Sequence, residues 1–312
     1  MITAASYHKG KHLNENDLNE EIKNCPFCNG DRLKTVGYIQ KNPFVFLLEC
    51  LDCGCFTASN VPKDEVITEY YGKYYNDIPT DKPNVTFDNS ERFARHLLNE
   101  FKIKNKSNVK ILDFAGGDGA NSKAIANLLY KNDNHTQIKH ISIDLVEISS
   151  VALPSDTKSI KVRKFDSLSD LQETSYDLVI ASAIIEHLPY PAIEFYKLFD
   201  MVAEAGYFYA RTPYMSPFLR FFNKVGINFD ITYPAHIHDL GDKFWNNAPL
   251  LIKKKINKQF EVLKSQPSIV ETDFKHHFIK TFIAYTLKSP WYFLSKRYKF
   301  VGGWEIFLQR KS

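Results

Sequence analysis

The chain has 312 residues, of which 44% are hydrophobic and 24% charged, with 40 Lys and Arg against 36 Asp and Glu. That length supports one large or two modest domains around a full apolar core. A net charge of +4 is too slight to argue for nucleic acid as a partner. No run of about 20 apolar residues could span a membrane, and the N-terminal residues lack a secretion pattern; a cytoplasmic chain without a transmembrane segment is expected.

Residues 1–24 are polar and read as a flexible lead-in. Cys25-Pro-Phe-Cys28 and Cys50-Leu-Asp-Cys53 follow. Two such knuckles, each presenting two thiolates from a hairpin tip, predict a tetrahedral zinc ribbon over residues 25–60. Disulfides, the rival, are disfavoured in a cytosolic chain. Residues 38–49 supply the strands between the knuckles, and Cys55 is expected to be a small buried residue. A site with four protein ligands is closed to chemistry, so this zinc is structural and would contribute on the order of 10 kcal/mol to folding. Residues 61–88 form a linker with four tyrosines in Tyr70-Tyr71-Gly-Lys-Tyr74-Tyr75. These read either as a packing surface or as a lid, with Tyr71 and Tyr75 as candidate substrate contacts. Pro79 and Pro83 mark the boundary to a larger domain over 89–312, which opens with an amphipathic helix from Ser90 to Phe101, capped by Ser90.

Val109 to Gly119 reads strand then glycine turn, and the following segment to Tyr130 reads helix. Gly116, Gly117 and Gly119 let the backbone turn sharply against a ligand. The run Asp113-Phe-Ala115-Gly-Gly-Asp-Gly119 fits the dinucleotide fingerprint poorly. Ile141 to Asp144 is a second strand ending on a carboxylate that suits a ribose diol, with Glu147 the rival should the strand run longer. Val162 to Asp166 is a third strand; Asp166 either meets the ligand's base or caps the next helix. Tyr176 to Ser182 is a fourth, with Ser182 at the same ligand edge, and Gly206 to Ala210 a fifth. Strands alternating with helices predict an α/β fold with a mostly parallel sheet.

After the fourth strand stands Glu186-His187-Leu-Pro-Tyr-Pro191. The acidic-x-Ala-x-Gly-x-Gly turn, the acids closing successive strands and this Glu-His pair resemble class I S-adenosylmethionine (SAM) methyltransferases, with Ala115 in place of the first glycine. With the cysteine ribbon, the chain is similar to a narrower group: bacterial zinc-ribbon methyltransferases of sugar nucleotides and surface polysaccharides. The resemblance implies a Rossmann-like sheet with an antiparallel closing strand, here Phe300 to Gln309. It implies zinc on Cys25, Cys28, Cys50 and Cys53, and SAM over Asp113, Ala115, Gly116, Gly117 and Gly119. Asp144 would hold the ribose and Asp166 the adenine amino group, while Glu186 and His187 would lie beside the acceptor. The C-methylating members carry an aromatic hydroxyl before the Glu-His pair; Ile184-Ile185 stands here, which favours O- or N-methylation.

His187, with a reference pKa of about 6.5, suits a general base, and Glu186 an orienting role. His236 is the third catalytic candidate; of His236 and His238 one lines the acceptor pocket and the other lies at the surface, or the two form a metal site. Arg211 suits a substrate phosphate or carboxylate, or else a surface ion pair, Tyr214 follows it as a further acceptor contact, and an aromatic insertion over 214–259 covers the acceptor. A basic helix spans Ala248 to Gln259. Phe278 to Leu294 reads as a helix pair around Pro290, with attachment to a membrane surface left open. The expected activity is methyl transfer to a small molecule, a nucleotide sugar or related metabolite of surface glycan synthesis. An RNA methyltransferase and a non-catalytic ribbon protein with a vestigial SAM site are the alternatives, and a homodimer is left open.

Overall fold

A computed structural model describes residues 2–3, 10–76, 87–103, 106–131, 138–149, 153–227 and 229–312. The strands in chain order are β1 (Ile2–Thr3), β2 (Leu18–Glu21), β3 (Leu33–Gln40), β4 (Val45–Cys50), β5 (Phe56–Ala58), β6 (Asn60–Pro62), β7 (Asn108–Phe114), β8 (His140–Val146), β9 (Ile160–Phe165), β10 (Tyr176–Ser182), β11 (Val202–Tyr214), β12 (Phe229–Asp230), β13 (His238–Asp239), β14 (Phe260–Pro267) and β15 (Gly302–Arg310). The helices are α1 (Asp64–Asn76), α2 (Ser90–Glu100), α3 (Ala120–Lys131), α4 (Pro191–Asp200), α5 (Ser216–Lys224), α6 (Asp242–Ile256) and α7 (Phe278–Leu294).

Seven strands form the main sheet in the order β14-β15-β11-β10-β7-β8-β9, and β15 runs antiparallel to both its neighbours. This is the Rossmann-like SAM methyltransferase sheet, with the closing strand where the sequence placed it. The apolar runs of β7 and β10 are buried along nearly their whole length, as strands covered on both faces require. The order reverses beside β7, with β8 on one side and β10 on the other. A cleft opens outside the carboxyl ends at such a switch point. β14, with its alternating Phe-Glu-Val pattern, is absent from the sequence-based expectations. One core face packs α2 and α3 against Ile111, Ile143 and Phe307. The helix start is capped by Asn89, whose Oδ1 accepts from Arg92 N, rather than by Ser90: Asn89 holds the extended backbone a cap needs.

A second sheet has the order β13-β5-β4-β3. Its first strand belongs to the insertion after β11, so the N-terminal region and the main domain share a sheet. They also share a core: Phe27, between the first two cysteines, packs edge-on against Phe195 and Phe244, and Tyr196 donates to Phe27 O. A fully buried Phe contributes about 1.5–3 kcal/mol, so this seam is a structural joint. The lead-in, expected to be loose, is built in from residue 10 onward. Leu13 is fully buried and exchanges two backbone hydrogen bonds with the Gln40 amide, and β2 pairs with β6.

Two helices differ from expectation. α6 begins at Asp242, earlier than Ala248, because Gly241 to Trp245 turn directly off β13. α7 is one helix rather than a pair around Pro290. Proline removes the N–H that would bond Thr286 O; the Ser289 hydroxyl donates to that carbonyl instead, at 3.2 Å.

Candidate active site

The loop after β7 holds Ala115, Gly117 and Gly119 at φ values of +56°, +58° and +71°. Ala115 thus keeps the left-handed backbone that a glycine would adopt freely, at a cost of about 1 kcal/mol. Its N–H donates to Val146 O at 2.8 Å, which pins the loop to the neighbouring strand. Gly116 is required for a different reason: a Cβ there would lie 2.3 Å from the Asp113 carboxyl carbon. Asp113 folds beneath the loop, buried, with Oδ2 unpartnered among the described residues. Burial pushes its pKa up to about 6, against the pull of the Ser122 hydroxyl. An orphaned carboxylate oxygen under an open backbone cradle is a place for a donor group of a ligand.

The strand end expected at Asp144 is not observed. β8 runs on through Val146, in register with Phe114 and Phe165. Asp144 sits inside the sheet and is fully engaged: Arg163 grips it bidentately at 2.8 and 2.9 Å, and the Tyr176 hydroxyl donates to it at 2.8 Å. The acid at the edge is Glu147, which accepts from Gly117 N at 3.1 Å and from Ser149 N at 2.9 Å. Each carboxylate oxygen retains acceptor capacity. Asp166 follows β9 directly and is exposed at the same edge. It is not a cap; the following turn is capped by Ser167 with Asp170.

The second part of the edge lies past β10. Glu186 is buried, its Oε2 has no partner among the described residues, and burial pushes its pKa up to about 8. His187 Nδ1 lies 2.8 Å from Ala235 O. A carbonyl can only accept, so Nδ1 carries the proton and Nε2 is the basic nitrogen; it lies 3.8 Å from Glu186 Oε1. His236 repeats the arrangement, with Nδ1 at 3.0 Å from Ile231 O, and its ring centroid is 4.8 Å from that of His187. One donor atom from each of Glu186, His187 and His236 lies within 4.8 Å of the others. Tyr71 reaches in from α1, its hydroxyl 2.9 Å from His187 Nδ1. The Tyr75 side chain lies outside the described residues.

The family described as Methyltransferase domain matches residues 87–262, more than half of the 312 residues. The chain belongs to this methyltransferase family. The match supports SAM-dependent methyl transfer in general and leaves the acceptor undetermined. No curated protein matches the chain by sequence. Similar solved structures include an S-adenosylmethionine dependent methyltransferase from Mesorhizobium loti, 14% identical, covering 72% of this chain and 99% of that one, with a TM-score of 0.42. The plantazolicin methyltransferase BpumL in complex with SAH is 14% identical over 80% and 91%, with a TM-score of 0.42. Phosphoethanolamine N-methyltransferase 2 of Haemonchus contortus is 12% identical over 82% and 63%, with a TM-score of 0.40.

Three further expectations for this methyltransferase are corrected. Arg211 is not presented to a substrate: it is buried, paired with Glu271 at 2.6 Å, bonded to Ser182 Oγ at 2.9 Å and stacked 4.7 Å over Phe87. It fixes the end of β10 and engages Ser182, one of the expected cofactor contacts. Tyr214 turns away, bonded to Asp242 at 3.0 Å and packed against Trp304 and Gly241. His238 is neither surface nor part of a metal pair with His236. It is buried in β13 between Thr57 Oγ1 at 2.9 Å and Leu188 O at 2.8 Å, and burial lowers its pKa to about 4. Glu271 and Asp239, which hold Arg211 and the start of α5, carried no local sequence signal. Asp239 accepts from Met215 N at 2.8 Å and from Ser216 N.

Away from the edge, Cys25, Cys28, Cys50 and Cys53 converge, each offering a sulfur within 4.8 Å of the rest. Sγ–Sγ distances of 3.5 Å (Cys25–Cys53) and 3.6 Å (Cys28–Cys50) are close to the edge of about 3.8 Å of a tetrahedron with 2.3 Å metal–sulfur bonds. Burial, then the neighbouring thiols, pushes Cys28 up to about 12. Several thiols cannot ionise side by side without a cation among them. Cys55 is fully buried and brings its sulfur within 3.4 Å of Cys25.

Proposed function

We propose that this protein transfers the SAM methyl group to a hydroxyl or amine of a small-molecule acceptor, with His187 as general base. The observation that carries the reading is the fixed tautomer of His187. Its Nδ1–H is shared between Ala235 O and the Tyr71 hydroxyl oxygen, so Nε2 is the nitrogen able to take a proton. It does so beside a Glu186 that burial keeps largely uncharged at neutral pH. A charged Glu186 would compete for the acceptor's proton; the neutral acid instead shapes the pocket. His236, with the same tautomer, lines the pocket from the opposite loop, and Tyr71 holds His187 from α1.

Bound SAM supplies an electrophilic sulfonium methyl that needs no further activation. The loop from Ala115 to Gly119, Asp113, Glu147, Asp166 and Ser182 would hold it, with Glu147 rather than Asp144 on the ribose. The retained left-handed backbone at Ala115 speaks against a vestigial site. Alignment of acceptor and donor in line contributes several kcal/mol. Zinc on Cys25, Cys28, Cys50 and Cys53 would be structural.

The acceptor class we infer is a sugar nucleotide or related metabolite of bacterial surface glycan synthesis; its support is the joint presence of the four-cysteine ribbon and the Glu186-His187 pair. The test is a transfer assay with labelled SAM against a panel of nucleotide sugars, with bulk RNA in parallel. Label on a nucleotide sugar, lost in His187→Ala, is the expected result; label on RNA alone would overturn the acceptor class.

A further inference from the structure

α7 is inside out. A helix on a protein surface ordinarily turns its apolar stripe inward. Here the inward side is mixed: Trp291 packs against Trp304, but two inward positions are polar. Thr281 is fully buried and donates to Thr272 Oγ1 at 2.8 Å, and Lys288 buries its ammonium on Ser268, with Oγ at 2.8 Å. The outward positions are Phe278, Ile279, Phe282, Ile283, Tyr292 and Phe293, which span about half the circumference at 100° per residue. Ile279 is 73% exposed and Phe293 87%. At on the order of 100 Å² each, six such side chains make a patch as large as the largest that monomers leave in water.

Within the segment that carries this face the formal charge has one sign. Residues 274–299 contain Lys275, Lys280, Lys288, Lys296, Arg297 and Lys299, and no Asp or Glu. Lys275, Lys280, Arg297 and Lys299 are exposed. Just past the helix a cavity of about 350 Å³ is lined by Arg297, Lys299, Lys243 and, from α5, Arg220 and Lys224, with Glu49 and Asp242 among them. Two copies meeting through this face would bring two net-basic segments together. Spanning is also ruled out for it. No helix among the described residues is long and apolar enough to cross a membrane, and the 17 residues of α7 measure only about 26 Å.

We propose that α7 is a docking element that lays this protein on an anionic lipid surface. Its aromatic face would enter the boundary between headgroups and acyl chains, with Lys275, Lys280, Arg297 and Lys299 at the lipid phosphates. The full-length protein should co-sediment with vesicles of phosphatidylcholine and phosphatidylglycerol at least about tenfold more tightly than with phosphatidylcholine alone, and the difference should shrink as salt rises. Phe282→Glu with Phe293→Glu should abolish sedimentation and leave the melting curve unchanged, since both side chains already face water. Lys275→Glu with Lys280→Glu should remove the preference for anionic vesicles. Equal binding to both vesicle types, or no binding, overturns the proposal. So does a wild-type dimer in light scattering that Phe282→Glu with Phe293→Glu converts to monomer, which would assign the face to a second copy.

Discussion

The two halves of the proposed catalytic edge are built in opposite ways. The cofactor half comes from consecutive strand ends: Asp113 to Gly119 after β7, Glu147 after β8 and Asp166 after β9. The acceptor half draws Tyr71 from α1, Glu186 and His187 from the turn after β10, and His236 from the insertion. Contacts in the first are set by neighbouring strands in register. Contacts in the second depend on segments far apart in sequence, and on a ribbon sheet that shares β13 with the insertion. The first half should therefore survive local damage elsewhere, and the second should not.

The largest test of that contrast is the cysteine cluster. Cys25→Ser with Cys53→Ser, or strong chelation, should remove on the order of 10 kcal/mol of folding free energy, seen as a collapsed melting temperature and lost transfer activity. A chelated protein that still transfers methyl groups at full rate would separate the ribbon from the acceptor half. Next, His187→Ala should lower kcat about 10²–10⁴-fold while SAM affinity, measured by titration calorimetry, stays unchanged.

Glu186 gives a signature in pH. Its folded pKa of about 8 lies above the ordinary value of 4.5. Between those values the folded state therefore holds a proton that the unfolded state has released. Stability should fall by up to a few kcal/mol as pH rises through this window and level off above it. Glu186→Gln should flatten that share of the slope in melting curves taken across pH; an unchanged slope would mean that Glu186 is not a buried neutral acid.

A smaller effect separates the two acids of β8. Glu147→Ala should weaken SAM binding by about 1.5–3 kcal/mol. Asp144→Asn should lower stability, through Arg163 and Tyr176, and leave SAM affinity in place. The reverse outcome would restore Asp144 as the ribose ligand. Smallest, Tyr71→Phe should cost about 1 kcal/mol, up to roughly tenfold in kcat/KM, because it removes one hydrogen bond to His187.

The same contrast explains how much the sequence disclosed. The strand-turn-helix at Ala115 to Gly119, the fourth strand with its limits, the closing strand and the convergence of four cysteines were legible because each is a local pattern. Asp144 misled because a carboxylate at that spacing says nothing of where the strand ends; two more residues of β8, Leu145 and Val146, carried the edge to Glu147. Arg211 looked available because its partner Glu271 lies far along the chain. His238 looked superficial because nothing local shows that β13 pairs with β5. The grouping of Glu186, His187 and His236 was readable as separate candidates, and only the backbone turn at Ala235 brings them face to face.

The two-residue strand β13 also decides what can be cut away. A version beginning near residue 87, where the family match starts, would strip Tyr71 from His187, leave His238 without Thr57 and uncover Phe195 and Phe244 where Phe27 had covered them. Such a trimmed enzyme should be sticky and inactive even with its glycine loop whole. The N-terminal third is thus built into the framework of the proposed acceptor half, and heating the intact protein should melt both in one calorimetric peak.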